Sequence, residues 1–451
     1  MKKISLSQGL FAAGTLTVIL YGILAWLSWE SVTSPDLSVF LFVWAGVWGA
    51  TLAAWLLTVR SVRKDRTLTI PFKSIWLWAI LFRLVGLAAL PVYEDDFYRF
   101  LWDGWRFSST GNPYSAAPAT FFEDPDVPPH MGAILENVNY PQVPTIYGPI
   151  CQWAFLAAYL IGGSSLIGLK LVFLAADLLA LFLMQRLCSR RHFVLYAWCP
   201  LLILETAFNA HPDILGVGLL LGAFVALGQK RSLLAASLGA LAMGVKVLAL
   251  PAVAVILHLG SNRFKAIGIF MLTLALVYAP FLLQGTLAEW KGLRVFAEYW
   301  EFNSSFVGLL QWAGLAFIPA KLIGIGLWGT VFIGLWVQWL RQGSGKAVLP
   351  LDIAYGVLFL CSPVVNAWYL LWMLPFVVLR PRIWSVVALM VVSLSYITGQ
   401  NLGDPHLAAF RHPVWLRPLE YGLVGIAILI DWRLTAKKDT PSHCRSLLSH
   451  R

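Results

Sequence analysis

The chain has 451 residues, of which 59% are hydrophobic and only 12% are charged. A composition this apolar excludes a water-soluble globular protein and indicates an integral membrane protein. The net charge of +11 is concentrated in short basic joints between apolar runs, which is a topological pattern, so we expect membrane lipids and no nucleic acid as partners.

Apolar runs of roughly 16 to 25 residues, the length of a membrane-crossing helix, recur from Gly9 to Asp431. Their continuous hydrophobicity favours helices over a β-barrel, whose strands alternate between apolar and polar residues. We therefore predict an all-α, polytopic membrane protein with about 11–14 transmembrane helices.

The amino-terminal part, residues 1–73, is predicted to contain two transmembrane helices and the basic joint RSVRKDRTLTIPFK. If this joint is cytoplasmic, as the positive-inside rule requires, the next span over residues 74–92 ends at the outer face. Residues 74–440 are predicted to form the main membrane domain, followed by a cytoplasmic tail over residues 441–451.

The longest segment between spans, residues 93–147, begins with three carboxylates, Glu94, Asp95 and Asp96. Long ordered loops on a membrane scaffold are usually functional. Neighbouring like charges raise each other's pKa, which suits a general base that accepts a proton from a hydroxyl. The alternative is a solvated entrance to the loop, and the triplet alone does not decide between the two.

The arginines of this loop, Arg99 and Arg106, have two interpretations. Each guanidinium either balances the local acids or binds a phosphate, since it can hold two oxygens at once. We predict that Arg99 contacts a donor phosphate.

Two later apolar stretches each lie between basic joints that should both be cytoplasmic, so each must rise and return. Residues 232–259 are therefore predicted to form two short helices with Lys246 at the outer turn, and residues 347–380 to place SPVVNAWY at a similar turn. Two short runs, residues 148–163 and 304–319, do not fit the alternation, and their placement stays open.

These turns bring further polar groups to the predicted outer face. His211 and Asp213 have acid–base or metal-ligand chemistry, but two residues do not make a metal site, so none is predicted, although a divalent cation is compatible. Lys246 either extends towards water or binds a lipid phosphate. Trp368 and Tyr369 form either an interfacial aromatic belt or a platform for a sugar ring.

Five stretches occur in a recognisable order: DDFYRFLWDGWRFSSTGNPYSAAP, NYPQVPTIYGPICQWAF, LYAWCPLLILETAFNAHPDILG, LAMGVKVLALP and SPVVNAWYLLWMLPF. Together they resemble bacterial polyprenol-phosphate-mannose-dependent mannosyltransferases of the GT-C glycosyltransferase superfamily. The resemblance covers roughly residues 80–380. It implies a GT-C-like bundle in which residues 74–440 are the catalytic domain and the large first extracytoplasmic loop carries the active site.

The resemblance also implies roles for particular residues. Asp96 matches the general base, Asp95 is its neighbour, and His211 with Asp213 matches the family's GHxD-like stretch. We predict that five residues bind the substrate and two contact the donor phosphate. The first set is His211, Asp213, Tyr147, Trp368 and Tyr369, and the second is Arg99 and Lys246. The chain departs from the family pattern at Gly148, where proline is common, and at Ala210, where glycine is common.

The implied function is inverting transfer of a sugar from a polyprenyl-phosphate donor to a lipid-linked or envelope glycan acceptor. Mannose is the expected sugar, and another hexose or a pentose is the alternative. The reaction would take place on the outer face of the cytoplasmic (inner) membrane and would require no soluble cofactor. The alternative is a transporter or flippase of lipid-linked glycans. A transporter is expected to have internal repeats and broken helices that meet at the bilayer midplane.

Overall fold

The structure is a computed structural model that describes residues 5–30, 36–343 and 349–436. Within these ranges the regular secondary structure is helical, and a single bridge pairs Phe302 with Val364. The prediction of an all-α polytopic protein is confirmed. The predicted cytoplasmic tail, residues 441–451, lies outside the described residues.

The first half of the described chain contains twelve α-helices, which we number in chain order. Their bounds are α1 Leu6–Glu30, α2 Leu37–Lys64, α3 Phe72–Ala88, α4 Phe97–Thr110, α5 Pro129–Leu135, α6 Pro149–Gly162, α7 Leu166–Leu187, α8 Phe193–Ala197, α9 Pro200–Ile203, α10 Asp213–Gly228, α11 Ser232–Met243 and α12 Leu250–Leu259.

The second half continues the same numbering. The bounds are α13 Arg263–Leu282, α14 Trp290–Tyr299, α15 Phe306–Trp312, α16 Phe317–Arg341, α17 Leu351–Cys361, α18 Leu374–Leu379, α19 Ile383–Val391, α20 Gly399–Leu402 and α21 Leu416–Ala436.

Among the described helices, five are long and apolar enough to cross a membrane: α1, α2, α7, α13 and α16. Shorter apolar helices of 10–17 residues lie between and after them. These include α11 and α12, which form the predicted pair of short helices with Lys246 between them. Residues 347–380 likewise contain two helices, α17 and α18, with SPVVNAWY between them, while the crossing of the membrane by either pair stays a prediction.

Two segments that the alternation of spans left open are now placed. Residues 149–162 form α6, which at 14 residues is roughly 21 Å long and shorter than the hydrocarbon core of a bilayer. Of residues 304–319, the middle forms the seven-residue helix α15, about 10 Å long, and the end begins α16. Neither segment is long enough to be a full span by itself.

One predicted span is not a single helix. Residues 193–209 are one of the apolar runs whose length is that of a membrane-crossing helix, but they divide into α8, α9 and a π-helical turn over Leu204–Phe208. Pro200 occupies the first turn of α9, where its missing N–H leaves no hydrogen bond unmade. The same proline prevents α8 from continuing as one helix into α9. The π-helical turn then changes the direction of the chain just before His211.

Charged groups inside the bundle are paired. Nε of Arg83 lies 2.6 Å from Oδ2 of Asp177, and both side chains are fully buried. Nη1 of Arg83 also donates to the carbonyl oxygens of Ala79 and Ala197 at 3.0 and 2.9 Å. Lys170 donates to the carbonyl oxygen of Gly86 at 2.8 Å. These contacts satisfy the three charges within the bundle.

Candidate functional site

The acidic triplet forms the turn between α3 and α4. Oε1 of Glu94 accepts hydrogen bonds from the backbone N–H groups of Asp95 and Asp96, at 3.3 and 3.2 Å. These bonds close the turn and leave the two aspartate side chains for other partners. The positive end of the dipole of α4 begins at Phe97, which favours carboxylates at this position.

Each aspartate has its own partner from the far end of the loop. The phenol of Tyr147 donates to Oδ2 of Asp96 at 2.8 Å, and the side-chain amide of Asn139 donates to Oδ1 of Asp95. The ring of Tyr147 also packs edge-on against Phe100 of α4, with centroids 4.9 Å apart. The loop thus closes on itself over the acidic turn.

Burial and mutual repulsion change the acidity of the triplet. Burial, followed by the charge of Asp96, raises the pKa of Asp95 to about 6. Burial, with the charges of Asp96 and Asp95, raises the pKa of Glu94 well above its ordinary value. The repulsion expected from the sequence thus adds to burial at Glu94 and Asp95, and both raise the pKa of these two groups.

Arg99 holds the loop. Its guanidinium donates to the backbone carbonyl oxygens of Asn139, Tyr140 and Val143, each at 3.0 Å. These bonds position Asn139 against Asp95. The predicted contact between Arg99 and a donor phosphate stays a prediction, while its observed contacts give this arginine a structural role.

Arg106 contacts aromatic rings. Its guanidinium carbon lies 4.1 Å from the ring centroid of Phe121 and 5.5 Å from that of Trp105. Such cation–π contacts stabilise the fold of the loop.

His211 lies beside the triplet, in a buried and unusual backbone setting. Ala210, immediately before it, has a φ of +57°, in the left-handed region that favours glycine. This explains physically why glycine is common here in the resembled family. The N–H of His211 donates to the carbonyl oxygen of Glu205 at 2.8 Å, so the π-helical turn fixes the histidine.

The imidazole of His211 lies between two carboxylates and an indole. Its Nε2 is 3.6 Å from Oε2 of Glu94 and 3.5 Å from Oε2 of Glu205. Its ring stacks on Trp368, with centroids 3.9 Å apart and planes 15° from parallel. The histidine therefore joins the acidic turn to the segment after α17.

Lys246 pairs with Asp213 at the start of α10. Its Nζ lies 3.0 and 3.2 Å from the two carboxylate oxygens of Asp213, and 4.2 Å from the centroid of the Tyr369 ring. Nε1 of Trp372 donates to the same carboxylate at 2.6 Å. The lysine side chain is 23% exposed, whereas Asp213 is 1% exposed, so the cation is on the open side of the pair.

The loop end and the lysine turn are in direct backbone contact. The N–H of Ile150 donates to the carbonyl oxygen of Gly244 at 3.1 Å. A Cβ atom on Gly148 would lie 2.2 Å from that carbonyl oxygen, so this backbone does not accommodate a side chain at position 148. The departure from proline at this position therefore lets the backbone of Gly148 pack directly against that of Gly244.

The predicted site residues thus form one cluster, with Arg99 at its edge. Asp96, Asp213 and Lys246 all interact electrostatically with His211. The ligand atoms of the acidic triplet lie within 4.8 Å of one another, which would also allow it to share a divalent cation. The arrangement combines carboxylates that can accept a proton with an ammonium that can stabilise an anionic leaving group.

Three residues of the cluster were missed from the sequence. Glu205 has a detectable signal, because a carboxylate within an apolar run is expensive and usually functional. Trp372 is the second of two tryptophans in its segment, and Asn139 is one of several polar loop residues, so nothing in their sequence context distinguishes them.

A family model described as the N-terminal domain of alpha-(1->6)-mannopyranosyltransferases, the MptA_B family, matches residues 3–260. The matched range includes the acidic triplet, Tyr147, His211 and Lys246, whereas Trp368 and Tyr369 lie beyond it. Neither the curated proteins nor the solved structures include a match to the chain.

Proposed function

Because the chain belongs to the alpha-(1->6)-mannopyranosyltransferase family, a GT-C-type glycosyltransferase family, we propose that it transfers mannose from a polyprenyl-phosphate donor to a glycan acceptor. The reaction would take place at the outer face of the cytoplasmic membrane. There nucleotide sugars are absent, and a sugar already linked to a lipid phosphate needs no soluble cofactor.

The observation that supports this function best is that a carboxylate fixed by a hydrogen bond and a cation lie in the same cluster. Tyr147 fixes the carboxylate of Asp96, and the adjoining backbone contact brings Lys246 to the same cluster. General base catalysis needs the first group, and departure of a phosphate needs the second.

In the proposed step, the oxygen of an acceptor hydroxyl forms a bond to C1 of mannose while the bond from C1 to the phosphate oxygen breaks. Asp96 takes the hydroxyl proton, and the electron pair of the broken bond leaves with the polyprenyl phosphate. Lys246 stabilises the departing phosphate. Displacement inverts the anomeric carbon, so an alpha product requires a donor with a beta-linked phosphate.

The remaining groups support binding. His211 stacked on Trp368, together with Tyr369 and Asp213, would form the sugar-binding wall of the site, because rings and buried polar groups can orient a hydroxylated ligand. Transport or flipping of lipid-linked glycans is not proposed, since the family is one of glycosyltransferases.

The donor class can be tested with the purified protein in detergent or nanodiscs. We expect radiolabelled mannose to pass from beta-linked polyprenyl-phosphate mannose to an α-1,6-linked mannotriose acceptor, with no transfer from GDP-mannose. Equal or better use of GDP-mannose would contradict the proposed donor. Transfer of another sugar from its polyprenyl phosphate, but not of mannose, would correct the sugar and retain the mechanism.

The raised pKa of Asp95 predicts the acid limb of the pH profile. The Asp95 carboxyl gains a proton as the pH falls through about 6, because its pKa is about two units above that of an ordinary aspartate. Asp96, the proposed base beside it, works best when the neighbouring carboxylates are unprotonated. We expect activity to decline below about pH 6, and Asp95→Asn to move this limb to lower pH by about one unit. An unchanged limb in Asp95→Asn, measured as kcat/KM against pH, would show that Asp95 is not the titrating group.

A further inference from the structure

A cavity of about 700 Å³ lies outside the cluster that contains Asp96 and Lys246. It is formed by α14, α15, the start of α16 and the segment that leads into α21. Its volume is within the range of small-ligand sites, which is roughly 300–1,000 Å³. Its wall includes tyrosine, tryptophan, glutamine, glutamate and arginine side chains, and nothing in the proposed transfer step uses them.

This cavity is connected to the catalytic loop through Tyr140. The ring of Tyr140 lies 4.6 Å from that of Trp300 and 6.2 Å from that of Phe410, measured between centroids. Trp300 is flanked by two lining residues, and Phe410 directly precedes a third. Since Asn139, the residue before Tyr140, binds Asp95, the cavity lies next to the loop that holds the acidic triplet.

A second connection passes through the backbone. The N–H of Phe302 donates to the carbonyl oxygen of Pro363 at 3.0 Å, and the N–H of Val365 donates back to Phe302 at 2.9 Å. The segment that contains Trp368 and Tyr369 follows Val365 directly. The wall of the cavity is thus attached to both halves of the candidate active site.

The polar part of the wall is preorganised. Nη1 of Arg417 lies 2.8 Å from Oε1 of Glu301, and Nη1 of Arg411 lies 3.2 Å from Oε2 of the same carboxylate. Because Glu301 fixes both guanidiniums, and the Arg411 side chain is 65% exposed, the unused N–H donors of Arg411 are held ready for a ligand.

The charge of the wall indicates what kind of ligand fits. The described lining residues include two arginines and two glutamates, so their formal charges cancel, although Glu298 pairs with Arg294 outside the wall. A wall without net charge is not selective for an anionic headgroup. It offers many hydrogen-bonding groups to a neutral, hydroxylated ligand.

Aromatic rings complete the wall. Trp312 is 86% exposed and Tyr299 is 74% exposed. Both are large aromatic side chains, whose contact with a ligand lowers the free energy by covering apolar surface. The faces of aromatic rings are electronegative and attract polarised C–H groups, such as those on one face of a pyranose. Planar rings beside arginine, glutamate and glutamine side chains are suited to a carbohydrate.

We propose that this cavity binds the acceptor glycan, as a neutral hexose chain, at sugar units beyond the one whose hydroxyl is glycosylated. The inference rests on the proposed function for its biological meaning, but the binding itself is a separate property of the cavity. Trp312 stacks on one sugar unit, and Arg411 with Gln311 binds its hydroxyls.

Binding and transfer of α-1,6-linked mannotriose test the proposal. We expect Trp312→Ala and Arg411→Ala each to raise the KM for mannotriose about 10-fold or more, with an unchanged KM for the lipid donor. Trp415→Ala is the matched control, because Trp415 is 54% exposed and is not part of the wall. It should leave both KM values unchanged.

A binding measurement separates this proposal from the proposed function. Isothermal titration calorimetry of the purified wild-type protein with mannotriose should show binding, even if no donor supports transfer. The same titration of Trp312→Ala should show no binding. Wild-type binding without any transfer would retain the cavity and reject the transferase mechanism. Normal binding and KM in both variants, or an effect on lipid-donor use alone, would overturn the assignment of the cavity.

Discussion

Asp96→Asn is expected to lower the rate of mannose transfer by about 10²- to 10⁴-fold, the usual contribution of a general base. The substitution keeps the size of the side chain, and its amide oxygen can still accept the hydrogen bond from Tyr147. The fold should therefore be preserved while the proton acceptor is lost. The measurement is kcat with the polyprenyl-phosphate donor, together with the melting temperature of the purified variant.

Asp126→Asn provides a matched control in the same loop, because Asp126 is exposed and lies outside the cluster. It should transfer mannose at the wild-type rate. If Asp96→Asn had normal turnover, the base would have to be another group of the triplet. Asp95→Asn and Glu94→Gln would then identify it.

Lys246→Met is expected to give the second largest loss, mainly through the donor. The ammonium is the partly exposed member of a pair with a buried carboxylate, and it stabilises the phosphate as negative charge develops on it. We expect the KM for the donor to rise and kcat to fall, with kcat/KM reduced about 100-fold, within the range for loss of one preorganised electrostatic contact. The KM for the acceptor should not change.

Two further variants separate charge from structure. Lys246→Arg keeps the cation and should retain more activity than Lys246→Met, whereas Lys265→Met removes an exposed lysine at a helix joint and should have no effect. Since Lys246→Met leaves Asp213 without its cation, the double variant with Asp213→Asn restores the charge balance. Wild-type donor affinity in the folded double variant would remove Lys246 from the phosphate site.

The placement of Lys246 could be predicted because it depends on simple physical rules. Two basic joints on the same side of a membrane require the apolar segment between them to turn back, and the segment does break into two helices, α11 and α12, at Lys246. The same logic located the turn before Trp368. The break in residues 193–209 was missed because hydrophobicity along that run is continuous, and the effects of Pro200 and of the π-helical turn are local.

The partners of the site residues were harder to predict than their positions. A guanidinium can donate either to a phosphate or to backbone carbonyls, so the sequence of the loop does not indicate that Arg99 would bind three carbonyl oxygens. The hydrogen bond between Asp96 and Tyr147 joins residues 51 positions apart, and only the family resemblance had singled out that tyrosine. The contact between Asp95 and Asn139 had no such indication.

The buried pair of Arg83 and Asp177 has a consequence for biosynthesis. An arginine at the centre of a helix costs roughly 2.5–3.5 kcal/mol on insertion into a bilayer by itself. Its partner carboxylate is 94 residues later in the chain, on α7. When α3 leaves the ribosome it therefore lacks its counter-ion, and the pair of Arg83 and Asp177 can form only after α7 has been synthesised.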